Sequence, residues 1–309
     1  MGRPDIVPFS DEHLDGAARL LEARHRRHRG AEPLLPAELD YRAEIEREWR
    51  QDGASGAAAL AAGEVVGYLV GRVRDDHLGR SLWSYVTGHA STDAELTRDL
   101  YAAAASRWVA DGLTQHFVFV PPFEDLIDPW FRLSFGASAA LAIRETGAEP
   151  TEAPGVVIRD GTQDDIEAAA RLDRAMSEHM LHGPSFSGIE LMSDDEYVDD
   201  WRGTWDDPAY RHFVAARDGR IVGHILLFRR PPDLRVPTDS IDLAAASTEP
   251  AVRGSGVGVA LTHHVLAWAR DNGIPVMITD WRMTNLLASR FWPARGFRPT
   301  FLRLYRSIP

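Results

Sequence analysis

Arg253-Gly254-Ser255-Gly256-Val257-Gly258 is the stretch whose residue types and spacing bear most directly on chemistry. Glycines let successive backbone N–H groups converge on one anion, and a helix that begins there adds about half a positive charge at its N-terminus. Arg253 supplies a further donor, so the grouping suits a pyrophosphate. Upstream, Asp242 precedes the small-residue run Leu243-Ala244-Ala245-Ala246. Strict alternation along a strand places Asp242 on the face of Ala244 and Ala246, where its carboxylate could take a proton from an attacking group.

Local patterns supply the elements that hold these residues. Ile241–Ser247 is a short apolar run of strand length, and Val257, Leu261, Val265 and Trp268 recur at helical spacing, so the loop joins a strand to a helix. A Walker A loop needs a lysine after its last glycine, and the chain contains no lysine. A dinucleotide fingerprint would put its third glycine at Val259, where a β-branched side chain obstructs helix-to-strand packing. Asp280 stands where such folds carry a ribose-binding acid, but the rest of that context is missing.

Further motifs follow in a fixed order. Arg217-Asp218-Gly219-Arg220-Ile221-Val222-Gly223 reads as a hairpin with an Asp-Gly turn. After the loop and its helix come a second apolar strand, Val276-Met277-Ile278, then Asn285-Leu286-Leu287-Ala288-Ser289-Arg290-Phe291-Trp292, and Arg295-Gly296-Phe297, whose glycine suits a left-handed C-terminal cap. With the R-x-x-G-x-G/A pattern of the loop, this series resembles the GNAT N-acyltransferases over residues 157 to 309.

That resemblance implies acetyl-CoA as co-substrate. Its pyrophosphate would lie on the amides of Gly254, Ser255, Gly256, Val257 and Gly258 beside Arg253, and its pantetheine arm along Leu243, Ala244, Ala245 and Ala246. Asn285 matches the asparagine that helps fix the coenzyme, and Trp292 stands where the family commonly carries a tyrosine acid. An indole N–H donates a hydrogen bond but does not readily give up its proton. Tyr305 is a weak substitute for that acid. Attack on the thioester requires a neutral amine, and an alkylamine with pKa about 10.4 is almost wholly protonated at pH 7. Asp242 is the leading base, with Glu178, His179 and His182 on the acceptor side as alternatives.

A worn second copy of the pattern occupies the N-terminal half. Gly63-Glu64-Val65-Val66-Gly67-Tyr68-Leu69-Val70 parallels Gly219-Arg220-Ile221-Val222-Gly223-His224-Ile225-Leu226, while Trp108, Phe131 and Gly136 match Trp268, Phe291 and Gly296 about 160 residues later. At the loop position this copy reads Asp93-Ala94-Glu95-Leu96-Thr97-Arg98. Acids there oppose anion binding, so it is expected to hold no coenzyme. The Pro- and Gly-containing stretch 146–155 sets a border between residues 1–150, a degenerate GNAT-like domain, and residues 151–309, the acetyl-CoA-binding catalytic domain.

Composition narrows the remaining classes. The absence of cysteine removes disulfides, thiol nucleophiles and thiolate metal sites, and no metal is expected. A net charge of −12 opposes nonspecific nucleic-acid binding. No run reaches the roughly 18 apolar residues of a membrane span, and no signal-peptide core is evident, so a cytoplasmic protein without a membrane partner is expected. A homodimer is compatible with these features. Arg24-His25-Arg26-Arg27-His28-Arg29 reads as cations complementing the end of a helix, and Ser193 with Glu196 as a capping box.

The sequence thus predicts an α/β (α+β) fold of two GNAT-like domains in tandem, each a mostly antiparallel mixed sheet flanked by helices. The expected activity is an acetyl-CoA-dependent N-acetyltransferase, an acyltransferase acting on the amine of a small molecule or peptide. A noncatalytic acyl-CoA-binding regulatory module is the alternative.

Overall fold

The computed structural model describes residues 3–76 and 79–309. The chain begins β1 (Asp5–Pro8), α1 (Leu14–Ala31), α2 (Tyr41–Trp49), β2 (Ser55–Ala61), β3 (Glu64–Asp76), β4 (Gly79–Ser84), β5 (His89–Ser91), α3 (Ala94–Ala110), β6 (Gln115–Val120), α4 (Glu124–Phe131) and β7 (Gly136–Glu145). It continues β8 (Val156–Asp160), α5 (Ile166–Leu181), α6 (Asp194–Asp206), β9 (Tyr210–Arg217), β10 (Arg220–Phe228), β11 (Ser240–Thr248), α7 (Val257–Asp271), β12 (Val276–Arg282), α8 (Leu286–Phe291) and β13 (Arg298–Ser307). Apart from the short β5, one order of strands and helices occurs twice, as the paired motifs require.

Packing divides the chain into unit 1, Met1–Leu141 with Pro232–Pro237 and Pro299–Pro309, and unit 2, Ala142–Pro231 with Thr238–Arg298. These units are cut differently from the border at 150/151, because strand pairing outweighs chain continuity. β13 pairs antiparallel with β6 from Leu302↔Val120 to Ser307↔Gln115, and Leu234 is buried in the core of unit 1. Thr146, in the stretch read as a linker, donates its backbone N–H to the Pro275 carbonyl at 3.0 Å and so belongs to unit 2.

In unit 1, β1, β2, β3 and β4 pair antiparallel in sequence, and β4 meets β6 in parallel. In unit 2, β8, β9, β10 and β11 are likewise antiparallel neighbours, and β11 meets β12 in parallel. Equivalent turns join the paired hairpins. Asp218 and Gly219 have φ of 51° and 75°, and Ala62 and Gly63 have φ of 51° and 84°. Two consecutive left-handed residues match the turn to the right-handed twist of the strands, which is the role read for Asp-Gly.

Each hairpin also carries a glycine that lets a helix approach. A Cβ at Gly223 would lie 2.8 Å from Leu261 of α7, and one at Gly67 would lie 3.1 Å from Leu100 of α3. Leu261 and Leu100 are buried, so neither helix can yield cheaply.

Unit 1 departs from its partner where the coenzyme would bind. Asp93 is the N-cap of α3, and its carboxylate accepts from the Glu95 N–H at 2.9 Å. The helix start that would hold a phosphate is capped by the chain itself. Arg24 corrects a sequence reading: it is buried within α1, ahead of the last turn that His28 and Arg29 occupy, rather than complementing the helix end, and its guanidinium donates to the carbonyls of Val86 and His89. These carbonyls flank the break between β4 and β5, where unit 2 has the single strand β11.

Gly223→Val is expected to destabilise the protein by about 1–3 kcal/mol, the usual cost of forcing atoms into a packed contact. Urea unfolding would show a lowered midpoint, and an unchanged midpoint would mean that α7 does not press on β10 as described.

Candidate active site

β11 and β12 are paired only from Ser240↔Val276 to Leu243↔Thr279. Beyond that point β11 continues through Ala244 to Thr248 and β12 through Asp280 to Arg282 without mutual pairing, so two parallel strands part. The parting opens a cleft of about 650 Å³ in unit 2. On its other edge β11 stays paired with β10, but the register shifts: Leu226 opposes Ala245 and Leu227 opposes Leu243, leaving Ala244 as the extra residue of a bulge. A bulge interrupts alternation and re-aims the side chains on either side of it.

One end of the cleft is the start of α7. Gly256 is its N-cap with φ 89°, and Gly254 has φ 80°, backbone positions that disfavour any residue with a Cβ. Ala260 N–H is the first amide in this helix to bond back, to the Gly256 carbonyl. The preceding helical amides of Val257, Gly258 and Val259 therefore point out of the helix start with no intrahelical acceptor. Arg253, Gly254, Gly256 and Gly258 line the cleft, as do Leu243, Ala244, Ala245 and Ala246. Ser255 does not line it: its hydroxyl donates to the Val252 carbonyl at 2.7 Å and receives Arg217 at 3.2 Å. The Val257 side chain is buried, leaving only its backbone to serve an anion.

Asn285 and Trp292 also line the cleft. The Asn285 side-chain oxygen caps α8, accepting from Leu287 and Ala288 N–H, and its amide contacts the Met180 sulfur at 3.4 Å. It holds the cleft wall through these bonds. Trp292 is buried edge-on against Phe297, with ring centroids 5.4 Å apart. Tyr305 lies in unit 1, packed against Phe117 at 4.8 Å, and does not line the cleft.

Asp242 requires a correction. It is 4% exposed, lies outside the cleft lining, and forms an ion pair with Arg230. The expectation rested on unbroken alternation, which the bulge at Ala244 interrupts, and the guanidinium engages the carboxylate that was to serve as base. On the acceptor side, His179 lines the cleft, whereas Glu178 is tied to Arg174 at 3.0 Å and His182 is not part of the lining.

Two groups assume roles that their sequence context did not suggest. Asp280 is the carboxylate of the described cleft lining, exposed and one residue past the last β11–β12 pair. Two positions on, Arg282 also lines the cleft; burial lowers the pKa of its guanidinium, opposed by the charge of Asp280. The signal in sequence was the place of Asp280 at the end of an apolar strand, read only against a dinucleotide site.

The second group is a histidine pair on β9 and β10. His224 lines the cleft and its Nε2 lies 3.2 Å from His212 Nδ1, while His212 Nε2 lies 3.2 Å from the Thr204 hydroxyl. That hydroxyl donates to the Trp201 carbonyl at 2.7 Å, so it accepts from His212 Nε2–H, and His212 Nδ1 in turn accepts from His224 Nε2–H. Trp205 stacks on His212 at 3.5 Å and Trp201 meets His224 edge-on at 4.7 Å. Both rings are held neutral. Burial pushes His212 down to about 4, and burial with the neighbouring His212 pushes His224 down to about 3.

Residues 178–297 match the acetyltransferase (GNAT) family. An uncharacterised N-acetyltransferase of Mycobacterium tuberculosis is 32% identical over 100 residues, 32% of this chain and 60% of that protein. The chain thus spans about 60% of the length of this curated relative. Mycothiol acetyltransferase of Cellulomonas flavigena is 27% identical over 300 residues, 91% of this chain and 82% of the relative. The crystal structure of a GCN5-related N-acetyltransferase from Sphaerobacter thermophilus shares the fold, with a TM-score of 0.64 at 14% identity over 99% of this chain and 97% of that one. Among the described residues no helix is long and apolar enough to cross a membrane, and no cluster of three metal-ligating side chains occurs.

Stability should fall with acidity. An unfolded histidine takes up its proton near pH 6.5, whereas folded His212 and His224 resist protonation to about 4 and about 3. His28 and His89 of unit 1 are pushed down to about 3, chiefly by burial. The unfolded state therefore binds more protons below pH 6.5, and stability that is full above that pH drops by about 1.4 kcal/mol per pH unit for each such histidine. Thermal melting between pH 8 and 5 should show Tm steady at the alkaline end and declining below 6.5. A constant Tm across that range would contradict the neutral pair.

Proposed function

We propose that this chain, whose residues 178–297 belong to the acetyltransferase (GNAT) family, transfers the acetyl group of acetyl-CoA to an amine by direct attack on the thioester. The observation that carries the reading is the cleft between β11 and β12, with an anion cradle at one end and a carboxylate along its wall. The residues fit the coenzyme: two left-handed glycines and the exposed amides of α7 suit a diphosphate, each charge-assisted hydrogen bond contributing about 1.5–3 kcal/mol. Ala244, Ala245 and Ala246 leave room for a slender arm, and the β11 edge facing the cleft offers its peptide groups.

Asp280 is the base in this reading. Its carboxylate, beside the point where the strands part, first pairs with the substrate ammonium and then accepts its proton, directly or through water. The amine nitrogen bonds to the thioester carbon, the carbon–sulfur bond breaks with its electron pair passing to sulfur, the nitrogen gives its second proton to solvent, and the amide is released. Trp292 supplies no proton, and a thiol titrating at about 8.5 leaves as the thiolate, later protonated from solvent. The chain belongs to the acyltransferases in this account and needs no metal for the step.

Two measurements test it. Calorimetry with acetyl-CoA should give an affinity that Gly256→Asp weakens by about 10-fold or more, since the substitution strains a left-handed position and sets a negative charge at the cradle. Equal affinities would defeat the cradle. In a thiol-release assay with amines, Asp280→Asn should lower kcat/KM by about 100-fold, within the usual range for a lost general base, while binding acetyl-CoA normally. Unaltered turnover would remove Asp280 from the mechanism, and coenzyme binding without thiol release for any amine would favour a noncatalytic acyl-CoA-binding module.

A further inference from the structure

The acceptor side of the cleft carries an apolar rim. Among the described residues, five of the eight exposed large apolar side chains are Phe186, Met192, Met283, Leu286 and Leu287, all from two short segments. Phe186 is 76% exposed. The segments are tied together: the Thr284 hydroxyl donates to Ser185 Oγ at 3.4 Å, and the Asn285 amide meets the Met180 sulfur at 3.4 Å. The rim is continuous with the cleft, because Leu287 belongs to both and Ile189, between Phe186 and Met192, lines the interior with Met176 and Met180. Clustered exposed apolar surface at the mouth of a cavity marks a binding face, and methionines adapt to varied apolar shapes.

Charge narrows the occupant further. Asp280 is the carboxylate of the described cleft lining, whereas the acids of residues 178–196 lie outside that lining, Glu178 and Asp194 being paired with Arg174. The acceptor therefore meets apolar surface and, among the described lining, a single carboxylate, Asp280, with Arg282 two positions on. A polyhydroxylated amine would find partners for some hydroxyls at Ser177 and His179 but would set the rest against Met176, Met180, Ile189 and Leu287, where burying them is costly. A second cationic group, as in a diamine, would meet apolar surface where the body of the substrate must lie.

We infer that the acceptor is a primary amine carried on an apolar, preferably aromatic, body, whose ammonium faces Asp280 while the body lies across Phe186, Ile189 and the methionines. This rests on the acetyl-transfer reading above and specifies its second substrate. Burial of each added methylene is expected to raise kcat/KM by about 3- to 4-fold until the rim is covered.

The test uses the full chain with acetyl-CoA and measures thiol release with ethylamine, butylamine, hexylamine, 2-phenylethylamine, glucosamine and putrescine. The expected order rises through the alkyl series, with 2-phenylethylamine at least 10-fold above ethylamine and with glucosamine and putrescine below the apolar amines. A flat alkyl series, or a preference for glucosamine or putrescine, overturns the inference while leaving acetyl transfer intact. Failure to bind acetyl-CoA in calorimetry sinks the underlying reading itself. Phe186→Ser, at an exposed position, should raise KM for 2-phenylethylamine at least 5-fold and affect ethylamine far less. Equal losses for both amines would show that Phe186 shapes the loop rather than meeting the substrate.

Discussion

Parallel pairing that stops at Leu243 and Thr279 is the constraint on which the rest of unit 2 depends. Had β11 and β12 stayed joined, their peptide groups would bond to one another, and the start of α7 would face a closed sheet. Because they part, one edge of β11 keeps its bonds to β10 while the other faces a cavity. The bulge at Ala244 adjusts the strand at the same place. A polar backbone edge with no strand beside it is costly when buried and useful when a ligand's amide groups can replace the missing neighbour.

The two copies show what happens when this constraint is kept and when it is filled. In unit 2, glycines at positions 254 and 256 leave the helix start open, and small side chains line the strand beyond it. In unit 1, Asp93 occupies the helix start and Arg24 donates to carbonyls at the broken strand. Both substitutions satisfy, from within the chain, groups that would otherwise call for a ligand. The hairpin and its helix survive in each copy because Gly67 and Gly223 still admit Leu100 and Leu261.

Much of the architecture could be read from the residues themselves. The Asp-Gly turn, the capping box at Ser193 and Glu196, the left-handed cap at Gly296 and the helix from Val257 all follow from local chemistry, and each occurs in the fold. The glycine-flanked start of α7 was legible for the same reason, since glycine content and helix start are local properties. The exchange of β13 into unit 1 was not, because the partner of a strand is chosen by a surface remote in sequence. Nor was the histidine pair: His212 and His224 lie on separate strands, and only their diagonal approach under Trp205 makes them one hydrogen-bonded group.

Asp242 and Asp280 divide the two kinds of knowledge. Sequence determined that an acid would stand near the start of one central strand and another at the end of the next, that glycines would bracket a helix start, and that the pattern would occur twice. Which acid meets the cleft was decided by tertiary structure. A single extra residue at Ala244 interrupts the alternation of β11, and Arg230 engages Asp242 outside the cleft lining. The parting of β11 from β12 leaves Asp280 exposed on its wall. Alternation is a rule of unbroken strands, and neither a bulge nor a distant ion pair is written in the local pattern.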